Sequence, residues 1–134
     1  MNTLNLEIVS PDKKLFSGEV KSVTVTTENG EIQILRGHTD LVAALKTGRA
    51  KITFHDGKER VAASSGGFIL VSDGLVKLVT TTFEFADTID IERARRAMEA
   101  AEEKLRAAKD DKTIAIAKAK LERALCRISV ADGK

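Results

Sequence analysis

Asp90 and Arg93 stand three residues apart, and Arg123 and Arg127 stand four apart near the other end of the chain. Positions three or four apart share a helix face, so helical structure would present each pair on one side. Guanidinium groups form bidentate contacts with phosphate, so Asp90, Arg93, Arg123 and Arg127, with Glu84 beside them, could hold a phosphate-bearing ligand. The same groups could instead neutralise one another, with Glu84, Asp90 and Glu92 as salt-bridge partners of the arginines. Spacing leaves both readings open. Glu31 and His38 flank an expected turn and form a second polar candidate, with an ordinary surface histidine as the alternative. No Cys/His cluster has metal-site spacing, and no nucleophile stands with a base. The lone Cys126 falls on the outward side of its helix, His55 sits in a turn, and Gly66-Gly67 lacks the following Lys-Ser or Lys-Thr of a phosphate loop. With no Trp, no Tyr and 4% aromatics, the chain is poor in residues that line substrate pockets. A non-enzymatic protein that requires no cofactor is expected.

Two helices must carry the arginines. Ile91, Ala94, Met98, Ala101, Leu105 and Ala108 recur at spacings of three and four, and so do Ile114, Ala117, Leu121, Ala124 and Ile128. Lys109-Asp110-Asp111-Lys112 separates the two stripes, and a short polar connection makes helices pack antiparallel. The first helix starts near Asp90, with Asp87, Thr88 and Asp90 as capping residues, and the second ends near Arg127. An antiparallel hairpin brings Arg93 near Arg123 and Arg127. About half of the stripe is alanine, so the seam buries little area at about 25 cal/mol per Å². Such a hairpin is either a movable element or a plain cap on the rest of the fold.

Before Ala86 the pattern is different. Leu4, Leu6 and Ile8 alternate with polar residues, and short apolar runs at Val20 to Thr27, Ile32 to Leu35, Ala50 to Phe54, Glu59 to Ala63 and Leu75 to Thr80 are split by turn residues. Asn29-Gly30, Asp56-Gly57 and Asp73-Gly74 supply the positive φ angles of tight hairpins. These strands predict an all-β sandwich, or flattened barrel, over residues 1 to 86, followed by the antiparallel α-helical hairpin over 87 to 134. The chain has 134 residues, 43% hydrophobic and 31% charged, enough for one main core. A net charge of +2 offers no basic footprint for nucleic acid. A single cysteine fits a reducing compartment, the N-terminus lacks a secretory signal pattern, and no apolar run approaches membrane-spanning length. Membrane association is therefore expected only through a partner.

Several segments in order carry a family likeness: Val9-Ser10-Pro11-Asp12, Phe16-Ser17-Gly18-Glu19-Val20, Asn29-Gly30-Glu31 through Gly37-His38, Ser65-Gly66-Gly67-Phe68, and Ile89-Asp90-Ile91-Glu92-Arg93-Ala94. Over nearly its whole length the chain resembles the ε subunit of bacterial and chloroplast F-type ATP synthases. The last segment matches that family's Ile/Leu-Asp-x-x-Arg-Ala nucleotide motif. Gln33 and Arg36 stand where the family more usually has Gly and Pro, and Ala100 where some nucleotide-binding members carry a further Arg. The resemblance implies a non-catalytic rotor subunit that contacts the γ subunit and the c-ring through its sandwich, with Glu31 and His38 toward those partners. Its hairpin would extend toward the α/β catalytic head to inhibit ATP hydrolysis. It also implies ATP as a regulatory ligand on Glu84, Asp90, Arg93, Arg123 and Arg127. The expected place is the cytoplasmic face of the bacterial inner membrane, peripherally, or the thylakoid if the chain is plastid-derived. An unrelated β-sandwich binding module with a helical tail is the alternative, and it leaves the Ile-Asp-x-x-Arg-Ala match unexplained.

Overall fold

The computed structural model describes residues 3 to 133, so Met1, Asn2 and Lys134, at the outer ends of the two expected parts, lie outside the described residues. Among these residues ten strands form two five-stranded sheets, and two long helices follow. The first sheet runs β2 (Lys14–Val20), β1 (Leu4–Val9), β9 (Leu75–Val79), β8 (Phe68–Ser72), β5 (Leu41–Ala44), and the second β10 (Thr82–Phe85), β7 (Glu59–Ser65), β6 (Gly48–Thr53), β3 (Ser22–Thr27), β4 (Gly30–Leu35). β1 (Leu4–Val9) lies parallel to β9 (Leu75–Val79) and antiparallel to β2 (Lys14–Val20). Strand alternation does what its period requires: Leu4, Leu6 and Ile8 point inward and are fully buried, while Asn5 and Glu7 face out. β3 (Ser22–Thr27) contributes Val23 and Val25, β6 (Gly48–Thr53) Ile52, β8 (Phe68–Ser72) Ile69, and β9 Val76 and Leu78 to the same core.

Two details depart from the sequence reading. The run Val20 to Thr27 is two strands, broken at Lys21, and Leu41–Ala44 forms β5, an edge strand that alternation over so few residues does not announce. The turn between β3 and β4 (Gly30–Leu35) takes positive φ at Gly30 but not at Asn29. There the Thr27 hydroxyl donates to the Gly30 carbonyl at 2.7 Å and accepts from the Asn29 amide at 3.2 Å, so a side chain holds the corner. Asp73 and Gly74 both take positive φ, 50° and 79°, as the tight turn before β9 requires.

β7 (Glu59–Ser65) and β10 (Thr82–Phe85) bring the chain to the helices. Asp90 caps α1 (Ile91–Ala107), its side chain accepting from the Arg93 amide at 3.1 Å, whereas Asp87 and Thr88 belong to a preceding 3-10 turn. α2 (Asp111–Ala131) runs back along α1 and continues past Arg127. Ala94, Ala101, Ala117 and Ala124 are fully buried, and the larger stripe residues Ile91, Met98, Leu105, Ile114, Leu121 and Ile128 flank them half-buried. The small residues let the backbones approach; the large ones close over the seam.

Gly67 has φ of 86°, and a Cβ added there would overlap the Val79 carbonyl oxygen. Substitution would have to open the β8–β9 pairing, so Gly67→Ala should lose about 2 to 4 kcal/mol of stability. Urea denaturation checks this; an unchanged midpoint would contradict the close approach.

Candidate functional site

The hairpin rests on the outer face of the second sheet, and α2 makes that contact with a face distinct from its seam with α1. Arg123, Cys126, Arg127 and Val130 follow the helical spacing of three and four, and they look onto β7 and the residues around it. Val130 is 1% exposed, covered by Arg60, Val61, Ala86 and Asp87 among others. Ala63 and Ser65 provide a low floor beneath Cys126. The expectation that Cys126 faces outward is thus corrected: it is half-buried and faces β7 of the sandwich. Burial pushes its thiol above the ordinary value, offset in part by a backbone hydrogen bond with Ser64 and by the charges of Arg127 and Arg49.

Where the start of α1, the later turns of α2 and the sandwich meet, a cleft of about 500 Å³ opens. Glu84, Asp90, Arg93 and Arg127 all line it, together with the hydroxyl residues Ser10, Thr81, Thr82 and Thr88. Arg127 Nε holds Glu84 Oε1 at 2.6 Å, with the two side chains 29% and 38% exposed. That contact ties α2 to β10, and with partial screening it contributes about 1 kcal/mol. Of the two readings left open by spacing, a salt bridge is therefore realised at this pair. One Asp90 oxygen is likewise engaged as the helix cap.

Arg123 does not share the cleft. It lines a crevice of about 250 Å³ between the helices, with Ala100, Lys104 and Lys120, and Arg127 lines both spaces. Arg127 thus lines one space with Arg93 and another with Arg123. The cleft also holds a cation that spacing did not point to. Lys13, from the turn between β1 and β2, lines it beside Ser10. Its position depends on β1 and β10 meeting the hairpin, a long-range pairing with no local signal.

Glu31 and His38 do not flank a single turn. Glu31 is in β4 opposite Thr26, and His38 lies beyond the other end of that strand, its Nδ1–H donating to the Thr39 carbonyl at 2.7 Å. Elsewhere, the outer face of the first sheet exposes Val42 (66%), Phe68 (41%) and Leu75 (43%). A strip in which Glu7 pairs with Lys14 and Lys77, each at 3.5 Å, borders this patch.

Against known proteins, residues 3–86 match the family model of the ATP synthase delta/epsilon chain β-sandwich domain, and residues 87–132 that of its long α-helix domain. An ATP synthase epsilon chain of Staphylococcus aureus (strain JH9) is 44% identical over 135 residues, covering 100% of both chains. A chain in the Euglena gracilis mitochondrial ATP synthase, in an assembly of OSCP, F1 and c-ring, superposes with TM-score 0.82 at 27% identity, over 96% of this chain and 81% of that one. A chain of the Tetrahymena thermophila central stalk and c-ring shares the fold at TM-score 0.66 and 14% identity, over 95% of each. An unrelated sandwich with a helical tail is set aside by these matches.

Cys126 reports whether α2 is docked, since alkylation needs an accessible thiolate and burial disfavours it. Iodoacetamide at mildly alkaline pH should react at least about tenfold more slowly with the native chain than with the urea-unfolded one. Glu84→Gln, which removes the tie to Arg127 while keeping that cation beside the thiol, should raise the native rate. Equal native and unfolded rates would mean that α2 does not rest on β7.

Proposed function

The chain belongs to the ATP synthase delta/epsilon chain family, as an ε subunit and not a catalyst, and from that premise we propose how its two parts work. The sandwich is the fixed part, joining the γ subunit and the c-ring within the central stalk. The hairpin is the regulator, docked on the sandwich in one state and extended along γ toward the α/β catalytic head in the other, where it inhibits ATP hydrolysis. The observation that carries this reading is the light attachment of α2: one side chain, Val130, is fully buried against the sandwich, and the Glu84–Arg127 pair sits at the cleft edge. Two states of one element need free energies within a few kcal/mol, and an attachment of this kind meets that condition.

The exposed Val42, Phe68 and Leu75 support a protein partner on the outer face of the first sheet, because apolar residues grouped on one face mark interaction surfaces. Glu31 and His38, at the two ends of β4, remain candidate contacts for γ and the c-ring. No helix among the described residues is long and apolar enough to cross a membrane. A peripheral position on the cytoplasmic face, held by the c-ring, fits the assembly.

The cleft is the proposed place of a regulatory ATP. Lys13, Arg93 and Arg127 supply three positive charges from three separate elements, and phosphate groups held among them would join hairpin to sandwich. Arg123 acts from the adjoining crevice, and Glu84 and Asp90 complete the set. A ligand at a hundred times its dissociation constant favours the docked state by about 2.7 kcal/mol, enough to hold the hairpin down.

Two measurements test these points. Removing residues 87 to 134 should leave the sandwich able to join the stalk and raise ATP hydrolysis by the assembled enzyme, measured at low ATP; equal rates would remove the regulatory claim. Titration calorimetry of the isolated chain with ATP should give weak binding, reduced about tenfold by Arg93→Ala and by Lys13→Met. No heat at millimolar ATP would leave the acids and arginines as salt bridges alone.

A further inference from the structure

Between the last strand and α1 the chain passes through a linker that is fastened to the sandwich over only part of its length. Ala86–Thr88 form a 3-10 turn, and the Thr88 hydroxyl donates to the Phe85 carbonyl at 2.8 Å. Phe85 packs edge-to-face on Phe83, with centroids 5.2 Å apart, and lies against the core. Arg60 of β7 spans ring and linker together. Its guanidinium carbon stands 3.6 Å from the Phe85 ring centroid, and its Nη2 reaches Asp87 Oδ1 at 3.4 Å. A guanidinium over an aromatic face is attracted by the ring quadrupole while its planar edge stays free to hold a carboxylate, a pairing that an ammonium cannot reproduce.

Beyond Thr88 this fastening ends. Ile89 (φ −77°, ψ 126°) and Asp90 (φ −84°, ψ 103°) are extended, and the Ile89 amide meets the Ala86 carbonyl only at 3.4 Å. Regular bonding resumes with the Ala94 amide on the Asp90 carbonyl at 3.0 Å. Val130 of α2 lines a space with Arg60, Ala86 and Asp87. The cover provided by Val130 leaves with α2, whereas Arg60, Phe85 and Asp87 do not depend on α2 for their mutual contacts.

We propose that Arg60 is a positioning residue that clasps the linker to the sandwich through Phe85 and Asp87, so that the hairpin leaves by turning about Ile89 and Asp90. The proposal rests on the opening motion proposed above and specifies its pivot. A clasp at Asp87 limits the free torsions to those of two residues, so the hairpin departs from a fixed point and in a restricted direction. Without it the tether would run from Phe85, and the helices would sample a wider volume.

Hydrogen exchange by mass spectrometry on the full chain tests the clasp directly. Arg60→Ala should speed exchange in peptides covering residues 86 to 90 about fivefold, with the core of β7 and β10 unchanged, and Arg60→Lys, which keeps the charge without the planar fork, should fall between. Unchanged linker exchange overturns the proposal, and so does an acceleration spread evenly through β7 and β10, which would mark Arg60 as a plain packing residue. The clasp and the brake fail separately. If truncation at residue 87 leaves hydrolysis unchanged while Arg60→Ala still loosens the linker, the brake is lost and the clasp stands. If truncation raises hydrolysis while linker exchange ignores Arg60, the clasp is lost and the brake stands.

Discussion

α2 is asked to satisfy two surfaces at once, and the rest of the molecule follows from how it does so. Ala117, Leu121, Ala124 and Ile128 meet α1, while Arg123, Cys126, Arg127 and Val130 turn toward β7. An α-helix can present two such stripes because spacings of three and four repeat around its circumference. The second stripe places Arg127 over Glu84, encloses the cleft beside Arg93, and half-buries a thiol that would otherwise be exposed. If α2 lifted off, none of these arrangements would survive, although each participating residue would keep its own secondary structure.

The two parts of the chain are held by forces of different size. Inside the sandwich, whole aliphatic side chains from both sheets are removed from water, each contributing roughly 1.5 to 3 kcal/mol. Between helices and sandwich the surface is mostly polar or small: Ala63 and Ser65 below, and a partly screened ion pair at the edge. The seam within the hairpin lies between these extremes, with alanines at the centre and longer side chains half-covered. Motion is therefore easiest at the contact between hairpin and sandwich, and hardest within either sheet.

The two outer faces of the sandwich differ in the same way. One meets α2 along β7 and β6 and carries charged residues such as Glu84, Arg49 and Lys51; among the described residues the other has no covering element and exposes Val42, Phe68 and Leu75. An apolar face left open on a subunit of a larger assembly is physically coherent, because the partner that covers it also removes its cost in water. The family matches over residues 3–86 and 87–132 are consistent with such an assembly without assigning its contacts.

Local pattern was sufficient for much of this. Alternation in Leu4, Leu6 and Ile8, the glycine turns, the paired helical stripes and the Asp90 cap each depend on residues within a few positions, so the sandwich, the hairpin and the class of the chain were legible in order. The Ile-Asp-x-x-Arg-Ala run, through the family resemblance, drew attention to the start of α1, which lines the cleft. What local pattern could not supply was the approach of distant elements. It took the docking of α2 on β7 to turn Cys126 toward the sandwich and pair Arg127 with Glu84; it took the meeting of β1, β10 and α1 to bring Lys13 into the cleft. Periodicity states which side chains share a face of one element, but the face that meets a neighbour is chosen by packing across the whole fold.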